Sequence, residues 1–148
     1  VDLALLWFSR LETARLKPDA VSFNSILSAA AKGGDLRTCQ RWYQRMVASC
    51  HQPDQYTFNT IISAASRGES GVEAAEIWVV RMQGLRLEAD VDTYNTLMDV
   101  AAKHQDLPAA ERWFHQLREK ALVPSVISFR TLCSAAANLG DVNAAQHW

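Results

Sequence analysis

The stretch from Ala20 to Asp54 reads AVSFNSILSAAAKGGDLRTCQRWYQRMVASCHQPD, and its periodicity decides the fold. Phe23, Ile26, Leu27 and Ala30 stand at i, i+3, i+4 and i+7, the spacing that gathers apolar side chains on one face of a helix. Gly33-Gly34-Asp35 breaks this pattern, and Asp35 falls where an N-cap belongs, its carboxylate placed to accept from backbone N–H groups that lack helical partners. A second apolar series runs through Leu36, Cys39, Trp42 and Met46, and the unit closes at Pro53-Asp54. No segment shows the two-residue alternation of a strand.

The same grammar repeats in both directions. Trp7, Trp42, Trp78, Trp113 and Trp148 recur at intervals of 35, 36, 35 and 35 residues, and Phe23, Phe58, Tyr94 and Phe129 at 35, 36 and 35. Each aromatic of the second series follows its Trp by 16 residues, so two residue classes share one register. The one extra residue falls in the segment Gly68 to Val72, where a turn absorbs it. The quartet of the first helix returns as Phe58, Ile61, Ile62, Ala65, then Tyr94, Leu97, Met98, Ala101, then Phe129, Leu132, Cys133, Ala136. Second helices open at Val72, Leu107 and Val142, with Asp106 and Asp141 as further N-caps and Pro108 accommodated in a first turn. The Trp series shares its face with Cys39, Ala75, Ala110 and Ala145 and with Met46, Met82 and Leu117, which predicts that it packs in the core.

One such helix pair cannot bury its apolar faces alone, so neighbouring pairs must stack. The expected architecture is all-α: a right-handed superhelical solenoid of tandem helix-turn-helix repeats. Residues 1–19 close a truncated repeat, 20–54, 55–90 and 91–125 are complete repeats, and 126–148 begin a fourth. Because both ends fall inside second helices, the sequence is expected to belong to a protein that extends in both directions.

Composition narrows the function. With 49% hydrophobic and 21% charged residues the chain has an ordinary globular balance. It shows neither an apolar run of membrane-spanning length nor a secretory leader. Cys39, Cys50 and Cys133 are odd in number and widely spaced, which suits a reducing compartment better than a disulfide framework. His51, His104, His115 and His147 have no metal-ligand spacing, and no phosphate loop, nucleophile elbow or carboxylate pair is present. No catalytic residue, metal or cofactor is therefore assigned. A net charge of −1 cannot by itself draw in a polyanion, so any nucleic-acid site must depend on where the charges lie.

The openings Val21 to Leu27, Tyr56 to Ile62, Asp92 to Met98 and Ile127 to Cys133, the unit length and the Pro-Asp closings together resemble the pentatricopeptide repeat family over essentially the whole chain. Tetratricopeptide repeats of 34 residues carry their Trp, Leu-Gly and Tyr in the first helix; here the first helices lack them. The resemblance implies a binder of single-stranded RNA, with each repeat reading one base through two or three side chains. It implies that the residue after the first-helix aromatic and the last residue of the repeat select the base. These are Asn24 with Asp54, Asn59 with Asp90, Asn95 with Ser125, and Arg130 without its partner. Under the family's pairing, Asn with Asp favours uracil and Asn with Ser cytosine, giving a pyrimidine readout near U-U-C. The same resemblance makes Val21, Tyr56, Asp92 and Ile127 the residues that sandwich each base; Asp92 departs from the apolar pattern and Arg130 from the amide pattern. It also implies action on transcripts of mitochondria or plastids.

An amide both donates and accepts, so Asn suits the Watson–Crick edge of either pyrimidine. Asp54 and Asp90 could serve equally as helix N-caps. Four and eight residues beyond each selecting position come Ser28 and Lys32, Ser63 and Arg67, Asp99 and Lys103, and Ser134 and Asn138. Lys32, Arg67 and Lys103 are thus candidate phosphate contacts, although a cation in a last turn also answers the helix dipole. A groove of this kind could instead hold a peptide or partner helix. RNA reading requires the Asn series to share one orientation and to stay open to solvent.

Overall fold

The computed structural model describes residues 2–67 and 71–148, with the side chains of Asp2, Leu3 and Glu12 outside the description. Among these residues the chain folds into α1 (Asp2–Thr13), α2 (Ala20–Lys32), α3 (Leu36–Ala48), α4 (Gln55–Ala65), α5 (Gly71–Gly84), α6 (Val91–Lys103), α7 (Leu107–Glu119), α8 (Val126–Asn138) and α9 (Val142–His147). The helices pair as α2 with α3, α4 with α5, α6 with α7 and α8 with α9, in a right-handed superhelical solenoid. The turn expected to absorb the extra residue, Gly68 to Val72, lies mostly outside the described residues.

The first helices α2, α4, α6 and α8 pack directly on one another, whereas the second helices mainly touch first helices. The row with the closer spacing lies on the inside of the curve, so the first helices form the floor of a trough. Alanine makes this approach possible: Ala30, Ala65, Ala101 and Ala136 are all 0–1% exposed. Met46, Met82 and Leu117 reach in from the second helices to complete the core, each fully buried.

Asp35, Asp106 and Asp141 cap α3, α7 and α9 through backbone N–H groups, as expected. The turns into these helices close with the N–H of Asp35, Asp106 and Asp141 donating to the carbonyls of Ala30, Ala101 and Ala136. That closure requires a left-handed residue, supplied by Gly34 and Gly140 at φ +71° and by Gln105 at +58°.

Two core expectations are corrected. Trp78 and Trp113 are buried and Trp42 and Trp148 are half-buried, but Trp7 is 57% exposed, with Arg10 of the same helix over its ring. Phe129 is 42% exposed, whereas its counterparts Phe23, Phe58 and Tyr94 are buried, and α9 beside it is only six residues long.

Candidate nucleic-acid interface

Every first helix begins on a capping residue, Asp19, Asp54, Asp90 or Ser125, followed three residues later by a hydroxyl: Ser22, Thr57, Thr93 or Ser128. Asp54 and Asp90 each accept from a backbone N–H, of Thr57 and Thr93 respectively, at 2.8 Å, so the cap reading of these residues is correct. Burial opposes the charge on Asp54, but the Thr57 hydroxyl and N–H and the Asn24 amide outweigh it and hold the carboxyl below its ordinary value. Thr57, Thr93 and Ser128 are completely buried.

Two of the three pairs expected from the sequence touch. The Asn24 amide lies close enough to Asp54 to help hold its carboxyl down, and its Oδ1 accepts from Thr57 Oγ1 at 2.8 Å. Asn95 Nδ2 donates to Ser125 Oγ at 3.3 Å, and its Oδ1 accepts from Ser128 Oγ at 2.7 Å. Between Asn59 and Asp90 no hydrogen bond forms among the described residues, and Asn59 Oδ1 is buried without a partner. The expectation of solvent-open amides is met only in part. Asn24 and Asn59 are half-buried, but Asn95 is 7% exposed, because Ser125 and Ser128 satisfy its amide from within.

The four residues expected from the sequence to flank the bases are open: Val21 is 70% exposed, Tyr56 57% and Ile127 47%, and Asp92 stands exposed in the first turn of α6. Val21, Asn24, Ser25, Ser28 and Tyr56 line an open pocket of about 450 Å³, with an aliphatic wall and an aromatic one flanking an amide. A flat heterocycle fits that chemistry. Another depression of about 440 Å³ lies beyond the ends of α5 and α7, bordered by Arg86, Glu88, Tyr94 and Lys120. Its charges are mixed.

The cationic stripe is weaker than its sequence suggests. Lys32 and Arg67 are exposed and form no ion pair among the described residues, but Lys103 Nζ lies 2.6 Å from Asp99 Oδ2 on the next turn of α6. Asp99 therefore neutralises much of what Lys103 would offer a phosphate. Arg67 stands two residues past the end of α4 and not in its last turn, with its stem against the backbone of Gly34. Arg130 is exposed on α8.

Among the described residues no group of three His, Cys, Asp or Glu side chains could hold a metal, and no helix is long and apolar enough to cross a membrane. Burial, with Asp35 nearby, pushes the Cys39 thiol up to about 12. His51 and His104 sit against the carbonyls of Pro18 and Ala65. Sequence reasoning missed the hydroxyls of Thr57, Thr93 and Ser128, although their place three residues after each cap is the N3 position of a capping box.

Two family models match the chain: the PPR repeat family over residues 18–67 and the pentatricopeptide repeat domain over residues 79–139. Among solved structures it is similar to the pentatricopeptide repeat protein PPR10 from maize, at 21% identity and TM-score 0.78, covering 97% of this chain and 20% of that one. It is also similar to PPR10 in complex with an 18-nt psaJ RNA element, at 25% identity and TM-score 0.65, covering 99% of this chain and 26% of that one. A further likeness is to the PPR domain of Arabidopsis thaliana protein-only RNase P 1 in complex with tRNA, at 14% identity and TM-score 0.72, covering 97% and 76%. The chain thus spans about a fifth of the length of PPR10. No curated protein matches it.

Proposed function

Because the chain belongs to the pentatricopeptide repeat family, we propose that it binds single-stranded RNA along the trough of its first helices, about one base per repeat. The observation that carries this reading is the contact between residues 30 positions apart: Asn24 with Asp54, and Asn95 with Ser125. An amide held against the opening of the next first helix, between Val21 and Tyr56 in the first instance, meets a stacked base at its hydrogen-bonding edge. Repeats 20–54, 55–90 and 91–125 would read a pyrimidine series near U-U-C, with Asn24, Asn59 and Asn95 on the bases. Val21, Tyr56, Asp92 and Ile127 would flank those bases, and Lys32 and Arg67 would meet phosphates, with Lys103 reduced by Asp99. Similarity to PPR10 and to the RNase P domain, both solved with RNA, supports RNA as the partner. Family resemblance points to a mitochondrial or plastid transcript. The described residues supply recognition and no chemistry.

The test is binding of a labelled U-rich single strand over a salt series. Asn59→Ala is expected to weaken binding by roughly fivefold, one hydrogen bond's worth. Arg67→Ala should flatten the dependence of log K on log salt by about 0.7. Binding indifferent to both substitutions and to salt would favour a groove for peptide instead.

A further inference from the structure

Asn59 and Asn95 are the same side chain at equivalent places on α4 and α6, but the protons around them are allotted differently. Ser128 Oγ accepts from the Ser125 N–H at 3.1 Å, so its single proton is free for Asn95 Oδ1 at 2.7 Å. With Oδ1 filled and one amide N–H on Ser125 Oγ, Asn95 retains only one N–H to offer outward. Thr93 is seated in the same way, accepting from the Asp90 N–H at 3.4 Å, but a carboxylate stands beside it and takes its proton at 2.9 Å. Asn59 Oδ1 is left buried with no donor. Thr57 is intermediate, its Oγ1 lying 2.7 Å from Asp54 Oδ1 and 2.8 Å from Asn24 Oδ1, one proton for two acceptors.

Resting on the base reading proposed above, we infer that the buried hydroxyl at the third position of α6 and of α8 is a positioning residue that decides which half of the preceding repeat's amide, Asn59 or Asn95, meets the base. At Asn95 the hydroxyl fixes the oxygen inward, so the amide donates. Cytosine N3 accepts such a bond, and uracil N3–H opposes it. At Asn59 turning the amide over breaks no bond to its oxygen, so the oxygen is available to accept from uracil N3–H. The closing residue acts at one remove: Asp90 draws the hydroxyl proton to itself, and Ser125 leaves it for the amide.

The experiment compares affinities of the whole 148-residue chain for strands differing only in the third base, U-U-C against U-U-U, or only in the second, U-U-C against U-C-C. Ser128→Ala is expected to lower the cytosine-over-uracil ratio by roughly fivefold, and Ser128→Thr, which keeps the hydroxyl, to retain it. Ser125→Asp should move the preference toward uracil in the otherwise unaltered chain and leave it unmoved beside Ser128→Ala, a non-additive cycle. Thr93→Val removes the equivalent cap bond without touching Asn59, and should leave the second-base preference unchanged. If Ser128→Ala fails to fold, Asp90→Ser carries the test in reverse: it should release the Thr93 proton to Asn59 and turn the second base from uracil toward cytosine, a shift abolished by Thr93→Val. A Ser125→Asp or Asp90→Ser shift of equal size with and without the hydroxyl overturns the inference. A chain that binds U-U-C and U-U-U alike, before any substitution, overturns the base reading itself.

Discussion

Trp78 and Trp7 stand at the same point of the repeating pattern, two units apart, and their surroundings are opposite. Trp78 is 2% exposed, with Tyr43 at 4.9 Å and Phe58 at 6.2 Å between ring centroids. Trp7 is 57% exposed, and the guanidinium of Arg10 on its own helix lies across its face. Register decides which residue turns inward; the neighbouring helix pair supplies the wall that buries it. In a solenoid the core is thus a property of adjacent units and not of one unit. Trp78→Ala is expected to cost about 3–5 kcal/mol, the range for deleting a large buried aromatic, and Trp7→Ala about 0.5 kcal/mol or less. Chemical denaturation followed by circular dichroism measures both, and equal losses would break the comparison.

The wall between units can also be probed where a glycine meets it. Gly71, the first residue of α5, is buried against the imidazole of His104 from the next unit, and an added Cβ would come within 2.0 Å of Nε2. Gly71→Ala therefore pushes on α6 and its following turn and should cost about 1–3 kcal/mol by overpacking. If the clash is the cause, His104→Ala in the same chain recovers much of that loss. A Gly71→Ala chain as stable as its parent would show that the unit boundary yields more readily than the Trp78 contacts suggest.

The same contrast explains what the sequence disclosed. Phe58, Ile61, Ile62 and Ala65 were legible as core because helical period is a local property, and they are 0–1% exposed. Asp35, Asp106 and Asp141 were legible as caps for the same reason. The pairing of Asn24 with Asp54 came from family resemblance, and local pattern alone would have left Asp54 as a cap, which it also is. What stayed hidden depends on partners from other units. Nothing local says that Ser128 fills the Asn95 carbonyl whereas Asn59 goes unmet. The ion pair of Asp99 with Lys103 was readable from its four-residue spacing, and it weakens the phosphate stripe that the same spacing suggested.

The caps tie adjacent units together, so they sharpen the comparison at lower energy. Asp90→Ala removes the bonds from Thr93 N–H and hydroxyl at the start of α6 and should cost about 1 kcal/mol. Acid probes its counterpart Asp54, whose folded-state carboxyl is held below the ordinary value. A depressed carboxyl contributes stability that is present above the unfolded value of about 3.9 and is lost as pH falls through the folded one. Stability should therefore drop on acidification below about 4, and by less in Asp54→Asn, which does not titrate there.

The smallest effect expected is a gain, and it separates the two kinds of turn. Turns within a pair use Gly34, Gln105 and Gly140 for the left-handed residue, whereas turns between pairs place only non-glycine residues there among those described, Arg15, Cys50, Arg86 and Ala121, at φ 55° to 60°. All four end their helices alike, with the N–H of Leu16, His51, Leu87 and Leu122 donating to Leu11, Met46, Met82 and Leu117. A side chain in that region costs roughly 1–2 kcal/mol, and glycine removes the cost while adding about 0.4–1 kcal/mol of freedom to the unfolded chain. Ala121 is exposed, so no packing is lost, and Ala121→Gly should stabilise the chain by about 0.5 kcal/mol. A loss instead would mean that the turn between pairs is held by its side chain and not by its closing hydrogen bond.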